Sequence, residues 1–372
     1  MKLFVFGSSL TSSYWNGAAT YYRGIYKNLH AIGYEITFAE PDIYGRQQRR
    51  DLGEIDYAAV RVYETPQDLQ RVLEEASEAD LVIKHSGVGA DDELLEREVL
   101  NLKGGNNKIA FWDVDAPATL ARVENDHNDP FRSLIPQYDF IFTYGGGPAV
   151  VEHYWRLGAG NCHPIYNAVD PDTHHPVPAD SAANCDLAFI GHRLPDRERR
   201  VEEFFFAAAE SAPEFRFLLG GEGWGSRKFP NNVRWIGHVG IADHNRINCS
   251  ARMVLNINRD SMARVGFSPP TRVFEAAGAG ACVITDAWPG IEHFFAPGKE
   301  ILPASSAQAI VSYLRSLSSH EAARVGSAMR ERALKHHTYR LRALQFDAVL
   351  HHTNAGSGLS GNQPATQMQS VV

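Results

Sequence analysis

The chain has 372 residues, which is enough for two domains with complete hydrophobic cores. Hydrophobic residues make up 44% of it and charged residues 22%, a composition typical of a globular protein and not of a disordered one. A net charge of −8 argues against a nucleic-acid or anionic-membrane binder, and no apolar run approaches the roughly 20 residues that span a bilayer.

The cysteines and the N-terminus together indicate a cytoplasmic protein. The four cysteines are scattered singly, with no Cys-x-x-Cys pair, and are expected to be reduced and mostly buried. The first seven residues have the pattern of a strand and not the order of a signal peptide.

The first half alternates short apolar strands with helices, and polar or glycine-rich loops follow the strands. Strands are predicted at 3–6, 34–39, 80–84, 108–112 and 138–143, and helices at 18–32, 66–77, 91–100 and 149–157. This order favours a doubly wound parallel sheet. Gly17 lies between the first strand and the first helix, where such sheets bind ligands, although any loop of this kind can carry a glycine.

A break in composition divides the chain into two predicted domains. Residues 167–184 are rich in turn formers and lack a hydrophobic period, so they are interpreted as a linker. Strand–helix alternation then starts again. The predicted organisation is a first domain at 1–166, a second at 185–339, a last helix at 340–352, and a disordered tail at 353–372.

The stretch 266–286 contains the most informative local pattern. Ser268 is a favoured N-cap residue, and the two prolines after it can fill the first helical positions of a helix that Gly280 ends. The free N–H groups at that helix start, at Thr271 and the next two residues, suit a phosphate.

Two charged side chains on the same helix allow two interpretations. Arg272 can add a fork of donors for the phosphate, and Glu275, about one turn further on, can accept hydrogen bonds from hydroxyl groups such as those of a ribose. Equally, Arg272 and Glu275 can form an i,i+3 pair on the surface of an ordinary α/β unit.

The residues from Ser268 to Asp286 (SPPTRVFEAAGAGACVITD) resemble the donor-binding signature of CgeB-like glycosyltransferases. These belong to the GT-B group and are related to glycosyltransferase family 4. Supporting segments in the expected order include 167–170 (NAVD), 187–192 (LAFIGH) and 337–339 (HTY). The resemblance covers roughly residues 100–345 and is stronger in the second half.

The resemblance implies a GT-B fold, with two facing doubly wound Rossmann-like domains and a C-terminal helix that crosses back to the first. Glu275 matches the glutamate that holds the donor ribose, while Arg272 and Thr271 would face the diphosphate. Arg193 matches a position where a basic residue neutralises the leaving nucleotide. His238 lies where family members pass the nucleobase.

One departure concerns the donor sugar. Many family 4 enzymes carry two glutamates eight positions apart, and the first position is Phe267 here. The family contact to the sugar therefore does not transfer, and neither does the stereochemical outcome.

The arginines Arg197, Arg199 and Arg200 are interpreted as a solvated helix face.

Three residues of the first domain are candidates for catalysis. Asp113 and Asp115 end an apolar strand and can act as a base, form a helix cap and turn, or hold a metal as in metal-dependent transferases of a different fold. His85 follows another strand and has the pKa range of a general base. The pair His174–His175 lacks partners at metal spacing, so no metal site is predicted.

The predicted function is transfer of a sugar from a nucleoside-diphosphate sugar to an unidentified acceptor, in the cleft between the domains. No metal and no other cofactor is expected, because the charge on the leaving diphosphate can meet arginines and backbone N–H groups. The alternatives are a nucleotide-sugar epimerase or hydrolase on the same fold, and a non-catalytic nucleotide-sugar-binding protein. Neither the sugar nor the oligomeric state follows from the sequence.

Overall fold

The computed structural model describes residues 1–104 and 107–355. The strands of the first half are β1 (Lys2–Phe6), β2 (Glu35–Pro41), β3 (Ala59–Tyr63), β4 (Leu81–His85), β5 (Lys108–Asp113), β6 (Phe140–Thr143) and β7 (Cys162–Pro164). They form one parallel sheet in the order β3-β2-β1-β4-β5-β6-β7. The strand order reverses between β1 and β4, and this places a crevice at the carboxyl ends of those two strands.

Helices cover both faces of this sheet, which explains why β1, β4 and β5 are buried almost throughout. The helices are α1 (Ala19–Ala31), α2 (Pro66–Ala76), α3 (Asp92–Asn101), α4 (Ala116–Asn125), α5 (Pro130–Leu134) and α6 (Gly147–Arg156). Helices α2 to α6 pack on one face around Phe111, and α1 packs on the other face around Trp112.

The second half repeats the same design. Its strands are β8 (Cys185–Ile190), β9 (Phe217–Gly220), β10 (Val233–Trp235), β11 (Ala251–Asn256), β12 (Val283–Asp286) and β13 (Leu302–Ala304). They form a second parallel sheet in the order β10-β9-β8-β11-β12-β13.

The helices of the second half again cover both faces of the sheet. They are α7 (Pro195–Val201), α8 (Ala207–Ser211), α9 (Ile241–Ser250), α10 (Asp260–Val265), α11 (Thr271–Ala279), α12 (Ile291–Phe294), α13 (Ala307–Ser316) and α14 (Ser319–His336). A π-helical segment, Glu202–Phe206, joins α7 to α8. Gly280 ends α11 with φ +75°, as predicted.

The last helix, α15 (Tyr339–Ala355), returns to the first half and packs against α1. The ring of Phe346 stacks on Trp112, with centroids 5.2 Å apart, so this helix completes the core on that face of the first sheet. The Tyr34 hydroxyl donates to the Asp347 carboxylate at 2.6 Å. The predicted crossing-back helix is therefore confirmed.

Three strands were not predicted, because none of them has a long buried run. Most side chains of β3 are exposed or half-buried. Strands β7 and β13 have three residues each, include a proline, and lie at sheet edges, where proline is tolerated.

The end of the chain differs from the prediction at one point. Helix α15 continues to Ala355, three residues beyond its predicted end, so 353–355 do not belong to a disordered tail. The rest of the predicted tail, 356–372, lies outside the described residues.

The expectations from the sequence about the cysteines and about membrane-spanning segments can be compared with the fold. Cys162, Cys185 and Cys282 are buried free thiols, and Cys249 is partly buried. Among the described residues, no helix has both the length and the apolar character needed to cross a bilayer.

Replacement of Gly24 by alanine tests the docking of α15. A Cβ atom at Gly24 would lie 2.2 Å from the Tyr339 ring, so Gly24→Ala should lower the free energy of unfolding by about 1–3 kcal/mol through overpacking. Helix propensity alone would instead stabilise the variant by about 1 kcal/mol, so the sign of the change is decisive. Chemical denaturation measures it. Gly53→Ala, with nothing within 4 Å, is the control; equal behaviour of the two variants would contradict the docking.

Candidate active site

A cleft of about 680 Å³ lies between the two halves, and both contribute to its walls. The first half contributes the loops after β1 and β4 and the start of α4. The second half contributes the loops after β8, β9 and β11 and the start of α11. All of these follow the carboxyl ends of parallel strands, where α/β sheets place their ligands.

The start of α11 faces this cleft with Thr271, Arg272 and Glu275, as the sequence predicted for their position. Within the described chain, the N–H groups of Thr271 and Arg272 have no acceptor, whereas that of Val273 donates to Pro270 O at 3.0 Å. Two free N–H groups and the positive end of the helix dipole thus point to the cleft, where they favour an anion.

Three guanidinium groups gather beside this helix start: those of Arg197, Arg259 and Arg272. Arg272 donates through Nη1 to Asn256 Oδ1 at 2.8 Å and through Nε to the carbonyl oxygen of Ile190. Burial, and then the charges of Arg272 and Arg259, hold the pKa of Arg197 well below its usual range. An anion in the cleft would relieve this repulsion.

Arg197 is nine-tenths buried, and its Nε has no hydrogen-bond partner among the described residues. Asn258 Nδ2 and Asn248 Oδ1, which belong to other residues of the cleft wall, are buried without partners in the same way. Buried polar atoms normally have partners, because desolvation without a hydrogen bond costs about 1–3 kcal/mol. These atoms therefore indicate a polar ligand.

Glu275 is buried beside two histidines. His244 Nδ1 lies 3.1 Å from one of its carboxylate oxygens, and His174 Nε2 lies 4.0 Å from the other. Burial alone would raise the pKa of the Glu275 carboxyl, but the charges of His244, His174 and Arg272 outweigh it and lower this pKa to about 2. Glu275 is thus an anion that accepts hydrogen bonds.

An aromatic stack crosses the cleft at its outer end. Trp15 of the first half lies parallel to His192 of the second, with ring centroids 5.0 Å apart, and His192 stacks on His238 at 6.2 Å. Burial, together with the Arg197 charge, lowers the pKa of His192 to about 4, so this ring is neutral at neutral pH. The predicted nucleobase residue His238 therefore belongs to a stack of rings that includes both halves.

Asp115 is the predicted catalytic residue that faces the cleft. Its Oδ2 forms an ion pair with Arg259, which also binds Asp196 at 3.0 Å, so this pair connects the two halves. Asp115 Oδ1 is buried and has no partner among the described residues.

Asp113, the other predicted carboxylate, does not line the cleft. It is fully buried and accepts hydrogen bonds from the hydroxyl groups of Ser86 (2.8 Å), Thr119 (3.0 Å) and Tyr154, and from the N–H of Asp115. The carboxylate is therefore occupied in holding the loops after β4 and β5. The predicted catalytic role of Asp113 does not fit this position.

His85 is also placed away from the cleft. It is fully buried, with the Tyr26 hydroxyl 2.5 Å from its Nε2, and burial lowers the pKa of its imidazole to about 3. A group with that pKa and no access to a substrate does not act as a general base near neutral pH. The predicted role of His85 does not fit the structure.

Two predicted donor residues also lie outside the cleft wall. Arg193 points away and forms an ion pair with Glu198. Ser268 does not cap α11, because its hydroxyl donates to the carbonyl of Gly266 at 2.9 Å while Pro270 occupies the N-cap position. The predicted N-cap at Ser268 is therefore wrong.

Phe267 occupies the position of the missing family glutamate. It has φ +47°, and its carbonyl accepts from the N–H of Gly146 in the first half at 3.0 Å. A Cβ atom added to Gly147 or to Gly290 would lie 2.6 Å from its ring. The ring thus lies at the contact between the two halves and not in the cleft.

Gly17 lines the cleft, in the loop between β1 and α1. The neighbouring Asn16 holds this loop, because its amide donates to the carbonyls of Ser9 (2.7 Å) and Ser12 (3.1 Å). Nothing lies within 4 Å of a Cβ atom added to Gly17, so no close contact in this structure requires a glycine there.

The sequence does not predict a role in the cleft for Arg197 or Arg259. Its pattern places Arg197 on a solvated helix face with Arg199 and Arg200, but the phase of α7 turns Arg197 inward. Arg259 follows the carboxyl end of β11 in the segment Asn256–Arg259, and the rule that ligands bind at such strand ends could have identified it.

A family model matches the part of the chain that contains Arg197 and α11. The model is described as glycosyl transferase-like, and the match covers residues 197–348. No curated protein matches the chain.

Solved structures resemble nearly the whole chain. Sucrose-phosphate synthase from Thermosynechococcus elongatus is 14% identical with a TM-score of 0.66, over 96% of this chain and 99% of that one. HepE of Anabaena in complex with UDP and glucose is 12% identical with a TM-score of 0.67, over 94% and 99%. An α-glucosyltransferase in complex with UDP is 11% identical with a TM-score of 0.68, over 94% and 100%. The fold is therefore GT-B.

The buried state of His85 can be tested through the pH dependence of stability. The unfolded histidine binds a proton near pH 6.5 and the folded one near pH 3, so the unfolded state binds more protons between these values and stability falls as the pH falls. From pH 7 to pH 5, His85→Gln should lose about 2 kcal/mol less unfolding free energy than the unsubstituted chain. Urea denaturation at both pH values measures this. An equal loss, or the same effect from the exposed-site control His127→Gln, would contradict the assignment.

Proposed function

We propose that this chain is a glycosyltransferase that moves a sugar from a nucleoside-diphosphate sugar to an acceptor. The observation that carries the proposal is the group of Arg197, Arg259 and Arg272 beside the free N–H groups of α11, with Glu275 one turn further on. The GT-B fold and the glycosyl transferase-like match at 197–348 support it. The resemblance of 268–286 to CgeB-like enzymes belongs to the same proposal.

The reaction explains why positive charge must be buried here. When the bond from the sugar to the diphosphate breaks, negative charge develops on the departing oxygen. Guanidinium groups and N–H dipoles in a water-poor cleft stabilise that charge more than bulk water does, because they are already oriented. Arg197 and Arg272 are the proposed contacts to the diphosphate, and no metal is required.

The ribose and the base of the nucleoside are proposed to contact different residues of the cleft. The Glu275 carboxylate accepts hydrogen bonds from the ribose hydroxyls, which are strong because the acceptor is charged. The base lies on the stack that Trp15, His192 and His238 form at the outer end of the cleft. UDP is present in complexes of similar folds and is the first nucleotide to test.

The acceptor is proposed to bind against the first half, where Asp115 faces the cleft. Its Oδ1 has no partner in the described chain and is available to an acceptor hydroxyl, while Oδ2 is held in an ion pair with Arg259. Asp115 is therefore the proposed base, in place of Asp113 and His85.

Nucleotide release separates this proposal from its alternatives. The purified chain is incubated with UDP-, GDP- and dTDP-sugars, with and without a set of acceptors, in the presence of EDTA. Release that requires an acceptor and persists in EDTA is the expected result. Turnover without any acceptor would instead indicate an epimerase or hydrolase, and binding without turnover a non-catalytic protein.

Arg197→Gln and Arg193→Gln form a matched pair that tests the diphosphate site. Arg197 lines the cleft, whereas Arg193 is paired with Glu198 outside it. Loss of a charge-assisted hydrogen bond should weaken UDP binding by about 1.5–3 kcal/mol in Arg197→Gln and leave Arg193→Gln unchanged. Isothermal titration with UDP measures both. A larger loss of UDP affinity in Arg193→Gln than in Arg197→Gln would indicate that the diphosphate binds at Arg193, as the family resemblance implies.

Glu275→Ala tests the ribose contact. Removal of the charged acceptor should weaken UDP binding by about 1.5–3 kcal/mol, with no loss of affinity for inorganic pyrophosphate, which has no ribose. Pyrophosphate serves as the control ligand, since a general disturbance of the cleft would weaken the binding of both ligands. Unchanged UDP affinity would rule out the ribose assignment.

A further inference from the structure

Three potential metal ligands converge at the inner end of the cleft, although they are far apart in the sequence. His174 belongs to the segment between the two sheets, His244 to α9, and Glu275 to α11. One ligand atom from each of them lies within 4.8 Å of the other two. Sequence spacing gives no sign of this group, because it depends on the packing of α9 against α11.

The atoms at the centre of this group lack ordinary partners. His174 is only 2% exposed, and its Nε2 has no hydrogen-bond partner among the described residues. His244 Nδ1 is also buried without an aligned hydrogen bond, although it lies 3.1 Å from Glu275 Oε2. A buried imidazole nitrogen without a partner is costly unless something absent from the chain itself binds it.

The donor set and its spacing fit a transition-metal ion. Zn²⁺ binds imidazole nitrogen and carboxylate oxygen at about 2.0–2.2 Å, which in a tetrahedron places ligand atoms about 3.4 Å apart. Glu275 Oε2 lies 3.1 Å from His244 Nδ1, and Glu275 Oε1 lies 4.0 Å from His174 Nε2, so each imidazole faces a carboxylate oxygen at close to this spacing. Hard ions such as Mg²⁺ prefer oxygen ligands and fit poorly.

One coordination position stays open toward the cleft. His244 and Glu275 line the cleft, whereas His174 lies behind them and does not. An ion held by three protein ligands can therefore complete its shell with water from the cleft, as three-ligand zinc sites do.

We propose that His174, His244 and Glu275 form a binding site for Zn²⁺ or a similar transition-metal ion, and that this ion competes with the nucleotide for Glu275. The second part rests on the proposed function. A carboxylate oxygen that ligates the ion does not accept a hydrogen bond from a ribose hydroxyl with the same strength. The ion is thus an inhibitor of donor binding and not a cofactor, and the proposed transfer is expected to proceed in EDTA.

The metal site is tested first, without any nucleotide. Co²⁺ is added to the full chain, and its visible absorption reports nitrogen and oxygen ligation in a four-coordinate site; Zn²⁺ affinity is then measured by displacement. His174→Leu removes one ligand without entering the cleft wall, and the exposed neighbour His175→Leu is the matched control. His174→Ala is a second variant, in case leucine is not accommodated, and circular dichroism checks the folding of each.

Loss of a ligand should weaken Zn²⁺ binding by at least about 100-fold in both His174 variants, since even changes around a metal's ligands cost about 10–100-fold. His175→Leu should bind as the unsubstituted chain does. No Co²⁺ spectrum, or the same affinity in all folded variants, would overturn the metal site whether or not the chain binds nucleotides.

Competition is tested with UDP, whose affinity is measured with and without Zn²⁺. Zn²⁺ should weaken UDP binding to the unsubstituted chain and to His175→Leu, but not to His174→Leu. Chelation of Zn²⁺ by UDP in solution would affect all three equally and would overturn the competition, as would tighter UDP binding in Zn²⁺. If UDP binds none of them while the Co²⁺ spectrum depends on His174, the proposed function fails and the metal site stands.

Discussion

The buried guanidinium of Arg272 is the interaction on which the candidate site depends. It lies on the first turn of α11, yet its donors reach the carbonyl of Ile190 at the end of β8 and the side chain of Asn256 at the end of β11. One side chain thus fixes a helix start against two neighbouring strands. These bonds also hold the positive charge of Arg272 in place, so that its electric field is directed into the cleft. The cationic site is therefore formed before any ligand arrives, and no side chain has to be reoriented on binding.

The second half contributes most of the charge, and the first half contributes the surface that completes the cleft. Two contacts that join the halves across the opening are the ion pair of Asp115 with Arg259 and the stack of Trp15 on His192. Both involve side chains that a substrate would also use. Substrate entry therefore has to compete with contacts between the two halves, whereas the packing of Phe267 and the return of α15 to the first sheet lie outside the cleft and are unaffected.

Much of the fold followed from the sequence, because buried parallel strands and the helices between them leave strong local patterns. The site followed only in part. A helix-start pattern and the resemblance to a donor-binding signature single out Thr271, Arg272 and Glu275, which line the cleft. No local pattern singles out their neighbours His174, Arg197 and Arg259, because tertiary packing decides which side of a helix or loop turns inward. Asp113 and Asp115 show the same limit. Two residues apart at a strand end, one is buried in a network of four donors and the other faces the cleft.

The placement of Phe267 bears on any attempt to redesign the specificity of this cleft. A glutamate introduced by Phe267→Glu, after the pattern of paired glutamates, would start at the contact between the two halves and not in the cleft. The new side chain would begin from a left-handed backbone position at the contact between Gly147 and Gly290, and it would lose the packing of the Phe267 ring against His293. The substitution would therefore weaken the contact between the two halves before it changed the cleft.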